Sequence, residues 1–160
     1  MELTFDEDQV DASKKKFGVS SSRFNGAKDC LTLFLKASNS PVADSKKTLD
    51  SLKHESFDLK EIVLIDKFKN IVYDKIGTEW YLILHDDEQL DEQLLEAVPV
   101  LLNEDRINVF SFYKKNHLGE YSICPRLFRK NIKISPLHLF PENEREPITN
   151  VLNGFVVEHD

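Results

Sequence analysis

The stretch Glu79-Trp80-Tyr81-Leu82-Ile83-Leu84-His85-Asp86-Asp87-Glu88 decides the reading of the fold. Its apolar run from Trp80 to Leu84 reads as a strand, and it stops abruptly on acids. After it, Leu90, Leu94, Leu95, Val98, Leu101 and Leu102 recur near helical spacing, with Asp91 and Glu92 in the first turn, where the helix dipole favours acids. Pro99 should kink or end that helix. A strand therefore delivers His85, Asp86, Asp87 and Glu88 to its carboxyl end, and a helix departs nearby.

Working outward, Cys30–Ala37 is a second apolar run, closed by the turn-like Ser38-Asn39-Ser40-Pro41. Val42, Leu49, Leu52 and Phe57 then suggest a helix, with Asp44 and Ser45 as cap residues. Glu61–Asp66 is apolar, β-branched and ends on an acid, which predicts a second, parallel strand. Asn70–Gly77 reads as one or two helical turns. Asn108–Lys115 alternates as a strand does, Arg126–Ile134 offers another short one, and the last twenty residues mix a polar loop with one apolar run. This succession predicts an α/β domain with a mainly parallel, Rossmann-like sheet flanked by helices. Ligands in such sheets sit outside the carboxyl ends of the strands, here Ala37–Ser40, Asp66–Asn70 and His85–Glu88. Residues 1–28 read as an N-terminal arm, anchored at most by Phe5, Val10, Phe17, Val19 and Phe24, before a single domain over 29–160.

Composition narrows the class. In 160 residues, 21 Lys and Arg stand against 28 Asp and Glu, a net charge of -7, with 41% hydrophobic residues. Such a chain can bury a core, and its net charge argues against bulk attraction to nucleic acid or anionic lipid. Cys30 and Cys124 are too few for a disulfide framework and read as reduced thiols. The acidic start lacks the features of a signal peptide, and no apolar stretch reaches the roughly 18 residues of a membrane span. These features predict a cytoplasmic protein with no membrane span.

Two readings of His85-Asp86-Asp87-Glu88 stand side by side. Four such groups in succession repel, and a divalent cation with hard oxygen ligands, completed by a diphosphate, would relieve the repulsion. Alternatively, Asp87 or Glu88 caps the following helix. Lys114, Lys115, Arg126, Arg129, Lys130 and Lys133, interleaved with Phe112, Tyr113, Tyr121 and Phe128, either neutralise phosphate or are solvated residues on alternating strand faces. His138, beside apolar residues, reads as structural before it reads as a ligand.

Leu31–Ser40, Ser51–Asp66 and Glu79–Glu96, in this order, resemble the GT-A glycosyltransferases, particularly the inverting family-2 type that uses nucleotide sugars. Tyr121–Ile134, containing Arg126-Leu127-Phe128-Arg129, is similar to a stretch that follows the acidic motif in a subset of them. The resemblance implies transfer of a sugar from a nucleotide diphosphate-sugar, UDP-linked, to a hydroxyl acceptor with Mn2+ or Mg2+. It implies Asp87 as metal ligand and Asp86 as the next, with His85 contacting sugar or ribose where the family has the first aspartate of Asp-x-Asp. Asp66 would read base or ribose, with a plain turn residue as the alternative, and Ala37, Ser38 and Asn39 would line the base. Arg126 and Arg129 would face the leaving diphosphate. Glu120, Glu142 and Glu144 are candidates for the carboxylate base.

The expected acceptor is a hydroxyl, on a saccharide or on a hydroxylated DNA base, with a lipid carrier or a protein equally open, so nucleic acid enters only as acceptor. The stretch between Asp66 and Asp86 is shorter than in the family, which keeps open a non-catalytic GT-A-like binding or assembly module. A chain this small would complete its site as a homodimer.

Overall fold

The computed structural model describes residues 31–53 and 59–159; the arm expected over 1–28, Cys30 and Phe57 lie outside the described residues. β1 (Leu31–Lys36), β2 (Glu61–Ile65) and β3 (Trp80–His85) form where the apolar runs predict them. β4 (Glu88–Leu90) follows β3 after two residues, and β5 (Val109–Lys115), β6 (Tyr121–Arg129) and β7 (Thr149–Glu158) complete one sheet. Its order is β2-β1-β3-β6-β5-β7-β4. β1 pairs in parallel with β2 and with β3, and β5 with β7; β3–β6, β5–β6 and β4–β7 are antiparallel.

The expected mainly parallel, helix-flanked Rossmann-like sheet is therefore corrected. The sheet is mixed and half-closed, and the described residues contain two α-helices, α1 (Ser45–Ser51) and α2 (Glu92–Leu101). The physical reason lies in two short links. Asn116–Glu120 is a hairpin turn with Gly119 at φ 82°, so β6 returns antiparallel beside β5 where a crossover helix would have kept the strands parallel. Asp86 and Asp87 alone join β3 to β4, although four strand spacings separate these strands in the sheet order. A flat sheet would set them about 19 Å apart, whereas the link reaches about 11 Å at most. The sheet must curl so that β4 returns to the carboxyl end of β3.

Two apolar clusters cover the faces. Leu33, Leu35, Trp80, Leu82, Leu84, Phe110 and Leu127 pack with Leu94, Leu95 and Val98 of α2 and with Leu52 beyond α1. On the other face Phe34, Tyr81, Ile83 and Phe128 pack under the turns at Phe68–Asn70 and Tyr73–Lys75 and under the loop carrying Ile132, Ile134 and Leu139. Pro99 lies inside α2, which ends two residues later at Leu101. No helix among the described residues is long and apolar enough to cross a membrane.

Candidate functional site

Parallel pairing brings the carboxyl ends of β2, β1 and β3 to one edge, with Lys36 level with Ile65 on one side and His85 on the other. The residues just past these ends are tied together. Ala37 N donates to Ile65 O (2.9 Å) and Asp86 N to Lys36 O (3.0 Å). Asp86 Oδ1 accepts from both Ser38 N (3.0 Å) and Ser38 Oγ (2.5 Å), and Asp44, the N-cap of α1, donates its N–H to Asp86 O (2.7 Å). Ala37, Ser38, Asn39, Asp66, His85 and Asp86 thus share one edge, with Ala37, Asn39 and Asp66 exposed. The His85 ring meets Phe68 edge-on at 6.3 Å, and Lys36 Nζ lies 5.2 Å from the same ring.

Asp87 turns inward. The antiparallel register of β4 and β7 sets Glu88 opposite Glu158, so the next pair outward is Asp87 opposite His159, closed by His159 N donating to Asp87 O at 2.8 Å. Opposed residues share a sheet face. His159 is 2% and Asp87 9% exposed, and His159 Nδ1 and Asp87 Oδ1 are both buried without a hydrogen-bond partner.

The tautomer follows from Thr48 on α1. Its hydroxyl donates its single hydrogen to Glu88 O (2.7 Å) and lies 2.8 Å from His159 Nε2, so Nε2 must carry the hydrogen in that contact. The neutral ring then presents a bare lone pair at Nδ1. Each is a buried acceptor without a donor, which is costly unless a cation or a proton meets it. A carboxylate oxygen and an imidazole nitrogen are ligand types that divalent cations accept, Mn2+ better than Mg2+ because of the nitrogen. Among the described residues no cluster of three or more His, Cys, Asp or Glu could hold a metal, so a cation here would take its remaining ligands from substrate oxygens or water.

Neither Asp87 nor Glu88 caps α2. Asp91 does, its Oδ1 accepting from Leu94 N (2.9 Å) and its Oδ2 from Phe155 N (3.0 Å). Glu88 is fully buried in an ion network at the centre of the curl. Arg126 meets it at two points, Nη1 to Oε1 at 2.5 Å and Nη2 to Oε2 at 2.7 Å, and Lys114 Nζ lies 2.6 Å from Oε2. His85 N also donates to Oε1 (2.8 Å). Lys114 continues to Glu158 (3.2 Å), which His117 Nδ1 approaches at 2.8 Å. Burial by itself would raise the Glu88 carboxyl, but the charge and hydrogen bonds of Arg126, with His85, outweigh it and hold the group well below the usual carboxylate range. Burial likewise works against the Lys114 ammonium, and Glu88 overrides it, leaving that group raised.

Arg126 reaches this position because it is the extra residue of a β-bulge: Phe110 faces Leu127 and Ser111 faces Pro125, leaving Arg126 unopposed and its side chain re-aimed. Its remaining donors go to Ile83 O and Cys124 Sγ. It is 2% exposed and meets Glu88, not the open edge where a diphosphate would lie. Arg129 is farther from that role. It sits opposite Trp80 at the amino end of β3, its guanidinium 4.2 Å from the Trp80 ring centroid, bonded to Glu79, Asn108 and two backbone carbonyls. Glu142 and Glu144 line a cleft of about 390 Å³ in the loop after β6, which returns to the same amino edge through Lys130 N to Glu79 O and Asn108 Nδ2 to Glu146 Oε2. Glu120 ends the β5–β6 turn, at the carboxyl end of β5.

Sequence reasoning did not find Thr48, His117, Glu158 or His159. Thr48 carried no motif, and His159 lies more than seventy residues from its partner Asp87. A β-register reading of Gly154–His159 against Asp87–Leu90 would have paired them, but β4 is too short and acidic to be recognised as a strand. Compared with protein-family models and with curated proteins, the chain matches none.

Proposed function

We propose that this protein is a divalent-cation-dependent transferase that moves a sugar from a nucleotide diphosphate-sugar to a hydroxyl acceptor. The observation that carries the reading is the pair of bare buried acceptors, Asp87 Oδ1 and His159 Nδ1, beside an edge where three parallel strands end. The backbone and hydroxyl of Ser38 hold Asp86 in place, and the exposed Ala37, Asn39 and Asp66 are free to contact a nucleoside. Asp66 would accept from ribose hydroxyls or base N–H groups. Asp87 and His159 would hold Mn2+, which when bound neutralises charge on the departing diphosphate. Of the three glutamate candidates, Glu120 is the one on this edge, and it would take the proton of the acceptor hydroxyl.

The thermal unfolding midpoint tests this reading, measured with uridine, guanosine, cytidine and thymidine diphosphates, each with and without Mn2+. The reading requires one nucleotide to raise the midpoint only with Mn2+, and Asp87→Ala to abolish the rise. No rise with any pair overturns it. The alternative, a non-catalytic binding or assembly module, is favoured by one feature: Glu88 takes Arg126, leaving the edge without that guanidinium for a leaving group. Mn2+-dependent nucleotide binding without any release of diphosphate from a panel of nucleotide sugars would decide for it.

A further inference from the structure

β2 is an edge strand. It pairs with β1 on one side, and no described strand pairs with the other. Its centre is apolar and open, with Ile62 49%, Val63 38% and Leu64 70% exposed. Natural sheets blunt exposed edges with charges, prolines or bulges, because unpaired N–H and C=O groups beside apolar side chains recruit another strand. Glu61–Ile65 carries none of these devices at its centre.

We propose that β2 pairs antiparallel with β2 of a second copy of this chain, about a twofold axis through Val63. Ala37 N bonds Ile65 O, so the odd-numbered residues of β2 direct their backbone groups to β1, and Ile62 and Leu64 direct theirs outward. A register centred on Val63 sets Ile62 opposite Leu64 of the partner subunit, a pair that exchanges both N–H···O bonds. The same register sets Lys60 opposite Asp66 of the partner subunit, and by symmetry Asp66 opposite the partner's Lys60; the Lys60 N–H bonds Leu31 O of β1 (3.0 Å), so this contact is between side chains. Both charges are exposed and opposite in sign, and moving the axis by one residue in either direction separates them. Ile62 and Leu64 lie level with Leu33 and Leu35, so the pairing extends an apolar face continuous with the core. It also brings a partner lysine beside Asp66, whose two carboxylate oxygens have room for that ammonium and a nucleoside hydroxyl together. The inference stands on strand geometry and does not depend on the reaction.

Sedimentation of the full chain at tens of micromolar, with mass measured directly, tests it. The expected result is twice the 18.5 kDa of one chain. Leu64→Lys should return a single-chain mass with circular dichroism and thermal midpoint retained. Lys60→Glu and Asp66→Lys should each weaken the dimer about tenfold, and the double variant should restore it. A monomeric wild type, including one that dimerises only after removal of residues 1–28, overturns the proposal. So does a dimer indifferent to Leu64→Lys, or charge variants without mutual rescue.

Discussion

Glu88 and Arg126, on strands β4 and β6, face each other in a two-point ion pair at 2.5 and 2.7 Å with neither side chain more than 3% exposed. The pair closes the curl that the Asp86–Asp87 link imposes, because it ties the strand on the returning edge to one in the middle of the sheet. Breaking such a pair strands a buried charge, so Arg126→Met should destabilise the protein by about 3–5 kcal/mol in urea unfolding. Glu88→Leu combined with Arg126→Met should lose less than the sum of the two single changes.

Acid sensitivity follows from the same carboxylate. The folded Glu88 group titrates well below its ordinary value of 4.5, so the folded state binds fewer protons than the unfolded chain as pH falls past that value. Its contribution is fully present above about pH 4.5 and is lost progressively below it. Glu158 adds to the same trend: burial raises it, but His117 and Lys114 lower it further. Unfolding free energy measured from pH 7 to 2 should fall most steeply below about pH 4.5, and Glu88→Gln should flatten that limb while lowering stability at neutral pH.

Gly154 should tolerate no side chain. Its φ is +94°, and a Cβ there would lie 2.4 Å from Asp91 Oδ1 and 2.6 Å from Leu94 N, inside the N-cap of α2. Gly154→Ala should cost about 2–3 kcal/mol, combining left-handed strain with damage to the cap. Equilibrium unfolding of that variant beside Asp91→Ala separates the two parts.

Arg129 serves the fold. Its guanidinium lies over Trp80, whose Nε1 donates to Leu102 O at 3.0 Å, so the two residues fasten the segment after α2 to the amino end of the sheet. Arg129→Ala should lower stability by about 1–2 kcal/mol. It should leave the Mn2+-dependent nucleotide shift at its wild-type size, whereas a loss of that shift would return Arg129 to the binding edge.

How much of this was legible in the sequence depends on the length of the apolar runs. β1, β2 and β3 have five or six residues of apolar or β-branched sequence and were readable, as was the cap pattern at Asp44. Their parallel pairing, and with it the meeting of Ser38, Asp66 and Asp86 at one edge, followed from the interleaved helix and turns. β4 was not readable because Glu88-Gln89-Leu90 has one apolar residue, and without β4 the curl, the Glu88 network and the Asp87–His159 pair are invisible. β2 was readable as a strand but not as an edge: Ile62, Val63 and Leu64 lie open, while Ile65 is buried. Arg126 and Arg129 looked like one basic motif, but a bulge at one and a cation–π contact at the other send them to opposite ends of β3.

Asp87 and His159 are proposed to hold a divalent cation on which a nucleotide diphosphate binds. Electron paramagnetic resonance of Mn2+ measures this directly, because the signal of the free aqueous ion falls as the ion is bound. Wild-type protein should deplete the free-ion signal, the nucleotide selected by thermal unfolding should tighten the binding, and His159→Ala and Asp87→Asn should each weaken it at least about tenfold. An undiminished free-ion signal in the presence of wild-type protein and every nucleotide diphosphate would contradict it, as would binding unaffected by both substitutions.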